Sequence, residues 1–69
     1  MKQDMELVMA IVDYARPCML AENALKAAHD AMLKKDYEEA IEQGFAALVE
    51  TKLMINAIRD MQERENERR

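Results

Sequence analysis

The side chains that could support chemistry in this 69-residue chain are few and far apart. His29 is the only histidine, Cys18 is the only cysteine, and the chain contains no serine. A metal site needs three or four converging ligands, and no second histidine or nearby cysteine lies at helical spacing from His29. We therefore predict no metal site and place His29 at the surface or at the rim of a core.

Cys18 lies on an apolar row, which favours a structural thiol because a reactive thiolate needs a cation beside it. Glu38, Glu39 and Glu42 have carboxylates suited to acid–base or metal chemistry, but catalytic carboxylic acids need burial and a perturbed pKa. Their place at a predicted helix start indicates exposed groups that stabilise the helix dipole. Gly44 is the only glycine, so a glycine-rich phosphate loop is excluded. We predict no catalytic residue and no cofactor.

These residues lie in a sequence that predicts helices. Asp36 and Glu39 fit a capping box, in which Asp36 accepts from first-turn N–H groups and Glu39 reaches back to the cap. The helix that follows is predicted to end near residue 64, with two adjacent apolar rows forming a buried stripe. We expect Leu48, Ile55 and Ile58 to be packing residues. The first row is Tyr37, Ile41, Gly44, Leu48, Thr51, Ile55 and Ile58; the second is Ala40, Ala47, Met54 and Met61.

Gly44 is unusual inside such a row, because glycine costs roughly 1 kcal/mol relative to alanine in a helix interior. Two explanations are open. A partner helix approaches closely at Gly44, or the helix kinks or hinges there.

A second helical segment, the first arm of the chain, is predicted over about residues 4–34. Its apolar residues keep a four-three rhythm that passes through Pro17. Proline either begins a separate helix, where its missing N–H is harmless, or kinks one long helix. The row consists of Leu7, Ile11, Tyr14, Cys18, Ala21, Leu25, Ala28 and Met32.

The opposite side of this arm is also apolar near its start. A helix that is hydrophobic on most sides is buried on most sides, and a lone hairpin cannot cover it. This surface therefore predicts self-association or a protein partner, and its methionines suit an adaptable contact. We term it the N-terminal apolar surface; its residues are Met5, Val8, Met9, Val12 and Met19.

A short connection at residues 34–36 places the two arms antiparallel. The sequence thus predicts a single all-α domain over residues 1–69, an antiparallel helical hairpin with its first arm kinked or broken at Pro17. Segment 62–69 is predicted to be a frayed polar tail. A core of this size rarely supplies more than about 3–5 kcal/mol. We therefore expect two hairpins to form a dimeric four-helix bundle.

Charge is unevenly distributed in the chain. The net charge is −4, and residues 36–69 contain nine acidic and five basic residues. This excess argues against nucleic-acid binding, which needs a basic face. We term Asp36, Glu38, Glu39 and Glu42 the acidic surface, a second candidate contact site.

A membrane-spanning segment is not predicted. The apolar run at residues 7–21 is interrupted by Asp13, Arg16 and Pro17 and is shorter than the roughly 20 apolar residues that a span needs. No signal peptide is recognisable. A single cysteine suits a reducing compartment, so we expect a cytoplasmic protein.

Residues 24–50 resemble one tetratricopeptide repeat. The segment DYEEAIEQGFAAL is similar to that repeat's second helix, although Gly44 replaces an aromatic residue. Only one unit fits, whereas stacked repeats need about three, so we assign no family. The resemblance implies a protein-binding role by analogy. The matching positions are Ala28, Tyr37, Ala40 and Ala47.

The predicted function is that of a small non-enzymatic protein-binding module, an adaptor, regulator or inhibitor that acts through its helical faces. Its partners would be a second copy of the chain and an unidentified protein. One alternative is an inhibitor whose acidic surface mimics nucleic acid in the groove of a host or defence enzyme. The other is a structural oligomerisation module.

Overall fold

The computed structural model describes the backbone of residues 2–67 and the side chains of residues 11–67. In it the protein consists of two long helices joined by a tight turn. Helix α1 spans Lys2–Leu33 and helix α2 spans Tyr37–Glu67. Both are rich in alanine, leucine, methionine, glutamate and lysine, which are strong helix formers. The predicted all-α hairpin is confirmed. Helix α2 includes most of segment 62–69, whose fraying in solution stays a prediction.

Helix α1 continues without interruption through Pro17. The alternative in which Pro17 begins a separate helix is therefore wrong. Because proline lacks an N–H, the carbonyl of Asp13 has no helical donor, a defect that costs about 3 kcal/mol in a helix interior. Pro17 is buried, and the groove beside it is lined by Leu53 and Ala57 of α2. This packing helps to offset the cost. A bend at Pro17 stays a prediction.

The turn closes the end of α1 with backbone hydrogen bonds. The Asp36 N–H donates to the carbonyl of Ala31 at 2.9 Å, and the Lys35 N–H donates to the carbonyl of Met32 at 3.0 Å. Lys35 has a φ of 61°, in the left-handed region. This combination is a Schellman-type ending, in which glycine normally occupies the left-handed position. The turn therefore carries a strained lysine.

Half of the predicted capping box is present at the start of α2. The backbone N–H of Glu39 donates to Oδ1 of Asp36 at 3.3 Å. The expected return bond from Glu39 is wrong, because the Asp36 N–H is already used by Ala31. The Glu39 carboxylate instead accepts from Nε2 of Gln43 at 2.8 Å. One residue, Asp36, thus ends α1 and begins α2.

Substitution of Lys35 by glycine is expected to stabilise the protein. Removing Cβ relieves the left-handed strain, which costs roughly 1–2 kcal/mol, while the flexibility of glycine in the unfolded chain offsets part of that gain. We expect the melting temperature, followed by circular dichroism, to rise by several degrees, since about 1 kcal/mol corresponds to about 4–8 °C at this size. Lys34→Gly is the matched control and should lower it. A lower melting temperature for Lys35→Gly would contradict this account of the turn.

A seam of alanines holds the two helices together. Within residues 11–67 the buried side chains are Ala21, Ala24, Ala31, Ala47 and Pro17. The α1 alanines recur at heptad-like spacing, so they line one narrow stripe. Side chains this small allow helix axes to approach to about 8 Å, the lower end of the usual range. We term these four buried alanines the alanine seam.

The burial of the two predicted α2 rows differs from expectation. In the row that runs through Ala47, the alanine is buried and Met54 and Met61 are half-buried. The large residues of the other row are exposed in the single chain; they are Tyr37, Ile41, Leu48, Ile55 and Ile58. The hairpin by itself therefore covers only one of the two rows. One neighbouring helix covers only one narrow stripe, and the alanine row permits the closer approach. Packing of Leu48, Ile55 and Ile58 in an assembly stays a prediction.

Candidate protein-binding surfaces

One row of large apolar side chains from each helix lies on the same broad side of the hairpin, while other exposed apolar residues, such as Leu20, Phe45 and Leu53, lie outside these rows. Near the turn, Met32 of α1 lines a hollow with Tyr37 and Ile41 of α2. At the open end, Tyr14 of α1 lines another hollow with Ile58 of α2. Residues three, four and seven apart lie on one face of a helix, so the two rows run side by side between these hollows. We term this surface the broad apolar face; its members are Ile11, Tyr14, Cys18, Leu25, Met32, Tyr37, Ile41, Leu48, Ile55 and Ile58.

The ten residues of the broad apolar face are uncharged. Charged side chains lie at its border, where Glu22 accepts from Cys18 and Glu65 lines the hollow with Tyr14 and Ile58. Eight of the ten residues are exposed; Tyr14 and Cys18 are half-buried. The rows extend over about 20 residues of each helix, or roughly 30 Å at 1.5 Å per residue. A contiguous exposed apolar surface of this extent is typical of a protein interaction site.

The opposite broad side of the hairpin is mixed in character. Its groove contains Leu20 and Leu53, but charged side chains surround them. We term it the polar groove; its charged residues are Asp13, Arg16, Glu50, Asp60 and Arg64. The two broad sides therefore differ in chemistry, and the side that holds the broad apolar face is the stronger candidate for a permanent contact.

The predicted surface near the start of α1 is described only in part. Val12 and Met19 are exposed, and Val12 also lines the polar groove. The side chains of Met5, Val8 and Met9 lie outside the described residues. The N-terminal apolar surface as a whole therefore stays a prediction.

The acidic surface is formed by the first turns of α2. Asp36, Glu38 and Glu42 are exposed, and Glu39 is half-buried. Two of these carboxylates already accept hydrogen bonds within the helix, Asp36 from the Glu39 N–H and Glu39 from Gln43. Their clearest role is in starting α2.

Cys18 is half-buried on the broad apolar face. Its Sγ donates to Oε1 of Glu22 at 3.5 Å. Burial raises the pKa of the Cys18 thiol, and the Glu22 carboxylate raises it further. The neutral thiol is therefore favoured over the thiolate nucleophile, in agreement with a structural role.

His29 is exposed beside the hollow near the turn. Across the residues that the structure describes, no group of three or more histidine, cysteine, aspartate or glutamate side chains could hold a metal ion. Neither helix, over its described length, is long and apolar enough to cross a membrane.

No protein-family model, curated protein or solved structure matches the chain. Function is therefore inferred from the surfaces of the hairpin.

The sequence predicts both rows of large residues, but not that they form one face. The signal that locates this face is the spacing of the alanines. Ala21, Ala24 and Ala31 of α1 and Ala47 of α2 define the contact between the helices. Once that contact is known, helical geometry places the rows of large residues together on one side of it.

Proposed function

We propose that the protein is a small non-enzymatic protein-binding module whose hairpin dimerises into a four-helix bundle. The observation that carries this proposal is the contrast between the alanine seam and the uncovered broad apolar face. Full burial of one leucine or isoleucine side chain contributes about 1.5–3 kcal/mol. The hairpin alone gains little of this, because its buried side chains are small. A second protein surface would supply the missing burial.

The shape of the chain supports the same proposal. Its radius of gyration is 15.8 Å, compared with about 11 Å for a compact domain of this length. Its accessible surface is 6036 Å², compared with about 4,500 Å² for a compact monomer of 8.0 kDa. A small chain with this much surface is expected to bury part of it against another chain.

One whole broad side of the hairpin has the size of a stable dimer interface. The hairpin measures 51 × 19 × 11 Å, so one broad side has a projected area of roughly 1,000 Å², compared with roughly 800 Å² per partner in a standard interface. The apolar rows, roughly 30 Å long, occupy roughly 600 Å² of that side. Pairing two such faces gives four helices around one core. The dimer would leave the polar groove and the acidic surface accessible.

The target protein would bind to the surfaces that the dimer leaves accessible. These are the polar groove, the acidic surface, and Val12 and Met19 of the N-terminal apolar surface. There an adaptor, regulator or inhibitor would contact its target. The single cysteine supports a cytoplasmic setting. We give the nucleic-acid mimic less weight, because Asp36 and Glu39 form hydrogen bonds that start α2.

The native mass in solution tests the dimer directly. Light scattering on a sizing column, across a dilution series, should give twice the chain mass of 8.0 kDa. The dimer should persist in high salt, because salt screens exposed charges and leaves apolar contacts intact. A monomer at every concentration would refute the four-helix bundle. A dimer that dissociates as salt is added would instead indicate a contact made by charged residues.

A further inference from the structure

Gly44 has no function that the single hairpin explains. It lies inside α2, where helix assignment is continuous from Tyr37 to Glu67. Its φ is not positive, so its backbone conformation suits any residue. A Cβ built on Gly44 meets nothing within 4 Å. Helix α1 therefore does not require a glycine here, although glycine weakens the helix relative to alanine.

The position of Gly44 on α2 indicates which contact would require a glycine. Ile41 precedes it by three residues and Leu48 follows it by four, so Gly44 lies between two members of the broad apolar face. Ile41 and Leu48 are exposed in the single chain, whereas Gly44 leaves a gap between them. A gap in an otherwise bulky row lets another backbone or a large side chain approach closely.

We propose that Gly44 is the place where a helix of a second copy approaches α2 most closely. This inference rests on the proposed dimer through the broad apolar face and adds its point of tightest contact. Of the two explanations of Gly44, it adopts close approach. A kink at Gly44 stays a prediction, because α2 is continuous there and a continuous helix can still bend.

A second copy fits this face better than a charged partner does. The members of the broad apolar face are uncharged, and charged side chains such as Glu22 and Glu65 lie at its border. The whole broad side that contains this face, roughly 1,000 Å² in projection, is as large as the surface that each partner buries in a standard interface. A two-fold dimer uses the same patch on both chains, so each Gly44 contributes one close contact to the interface.

Gly44→Ala tests the proposal, because it should act in opposite directions on the helix and on the dimer. The new methyl group favours the helix but occupies the gap between the chains. We expect the dimer dissociation constant, measured by sedimentation equilibrium, to rise tenfold or more. Asn56→Ala is the matched control. Asn56 is exposed and lines the polar groove, so this change also favours the helix without reaching the broad apolar face.

Three outcomes decide between the possibilities. Weaker dimerisation of Gly44→Ala, with Asn56→Ala unchanged or tighter, supports close approach at Gly44. Unchanged or tighter dimerisation of both variants overturns this inference and leaves the dimer itself intact. A monomeric wild-type protein refutes the proposed dimer, and the inference fails with it. Circular dichroism at the highest concentration verifies that each variant is helical.

Discussion

Replacement of Leu48 by glutamate is expected to make the protein monomeric at concentrations where the wild type is a dimer. Leu48 is 64% exposed in the single chain and lies in the middle of the broad apolar face. A carboxylate buried there without a partner costs several kcal/mol. The substitution occurs twice in a two-fold dimer. We therefore expect the dissociation constant to rise by at least about a hundredfold, or roughly 3 kcal/mol.

The adjacent residue provides a matched control for this substitution. Val49 is 59% exposed, close to the value for Leu48. Successive residues are rotated by about 100° around a helix, and Val49 is turned away from the broad apolar face. Val49→Glu adds the same charge and should leave the native mass unchanged. Both variants are measured by light scattering across the same dilution series.

The pattern of the two results identifies the interface. Loss of the dimer in Leu48→Glu alone places the contact on the broad apolar face. Loss in Val49→Glu alone would move the contact to the outer side of α2 and contradict the proposed location. A dimer that survives both substitutions would show that neither position is buried between chains.

Most of the fold follows from local signals in the sequence. Asp36 has the side chain for a helix start, and its N–H can also end the preceding helix, so the turn is tight. The near absence of glycine and proline favours long helices on both sides. The continuity of α1 at Pro17 is a tertiary effect, because burial of the ring beside α2 helps to offset a local defect.

The arrangement of the apolar rows does not follow from local signals. Hydrophobic size alone places Ile41, Leu48 and Ile55 inside, because each has much apolar surface to bury. The hairpin instead buries Ala47, since small side chains let two helices approach and pack along their whole length. Each helix has two apolar rows but only one neighbour in the chain. The row that the neighbouring helix does not cover is the candidate site. Sequence periodicity therefore identified the residues of this row, but not that they remain exposed in the single chain.

Replacement of Ala47 by leucine is expected to have the largest effect on the hairpin itself. Ala47 is 3% exposed, the most buried side chain of the alanine seam. Three additional carbon atoms between closely packed helices force them apart, and such overpacking typically costs about 1–3 kcal/mol. We expect the free energy of unfolding to fall by that amount. Urea titration followed by circular dichroism, at one fixed protein concentration, measures the loss.

Ala46→Leu is the control, because it makes the same chemical change one residue away. Ala46 is exposed, so the larger side chain should alter stability by no more than about 0.5 kcal/mol. Equal effects at both positions would mean that the alanine seam does not determine the separation of the helices. A large loss at Ala47 alone shows that it does. Consecutive residues of α2 then test separate contacts, Ala47 the contact within the chain and Leu48 the proposed contact between chains. A hairpin closed by alanine has its leucine and isoleucine side chains available for a second copy.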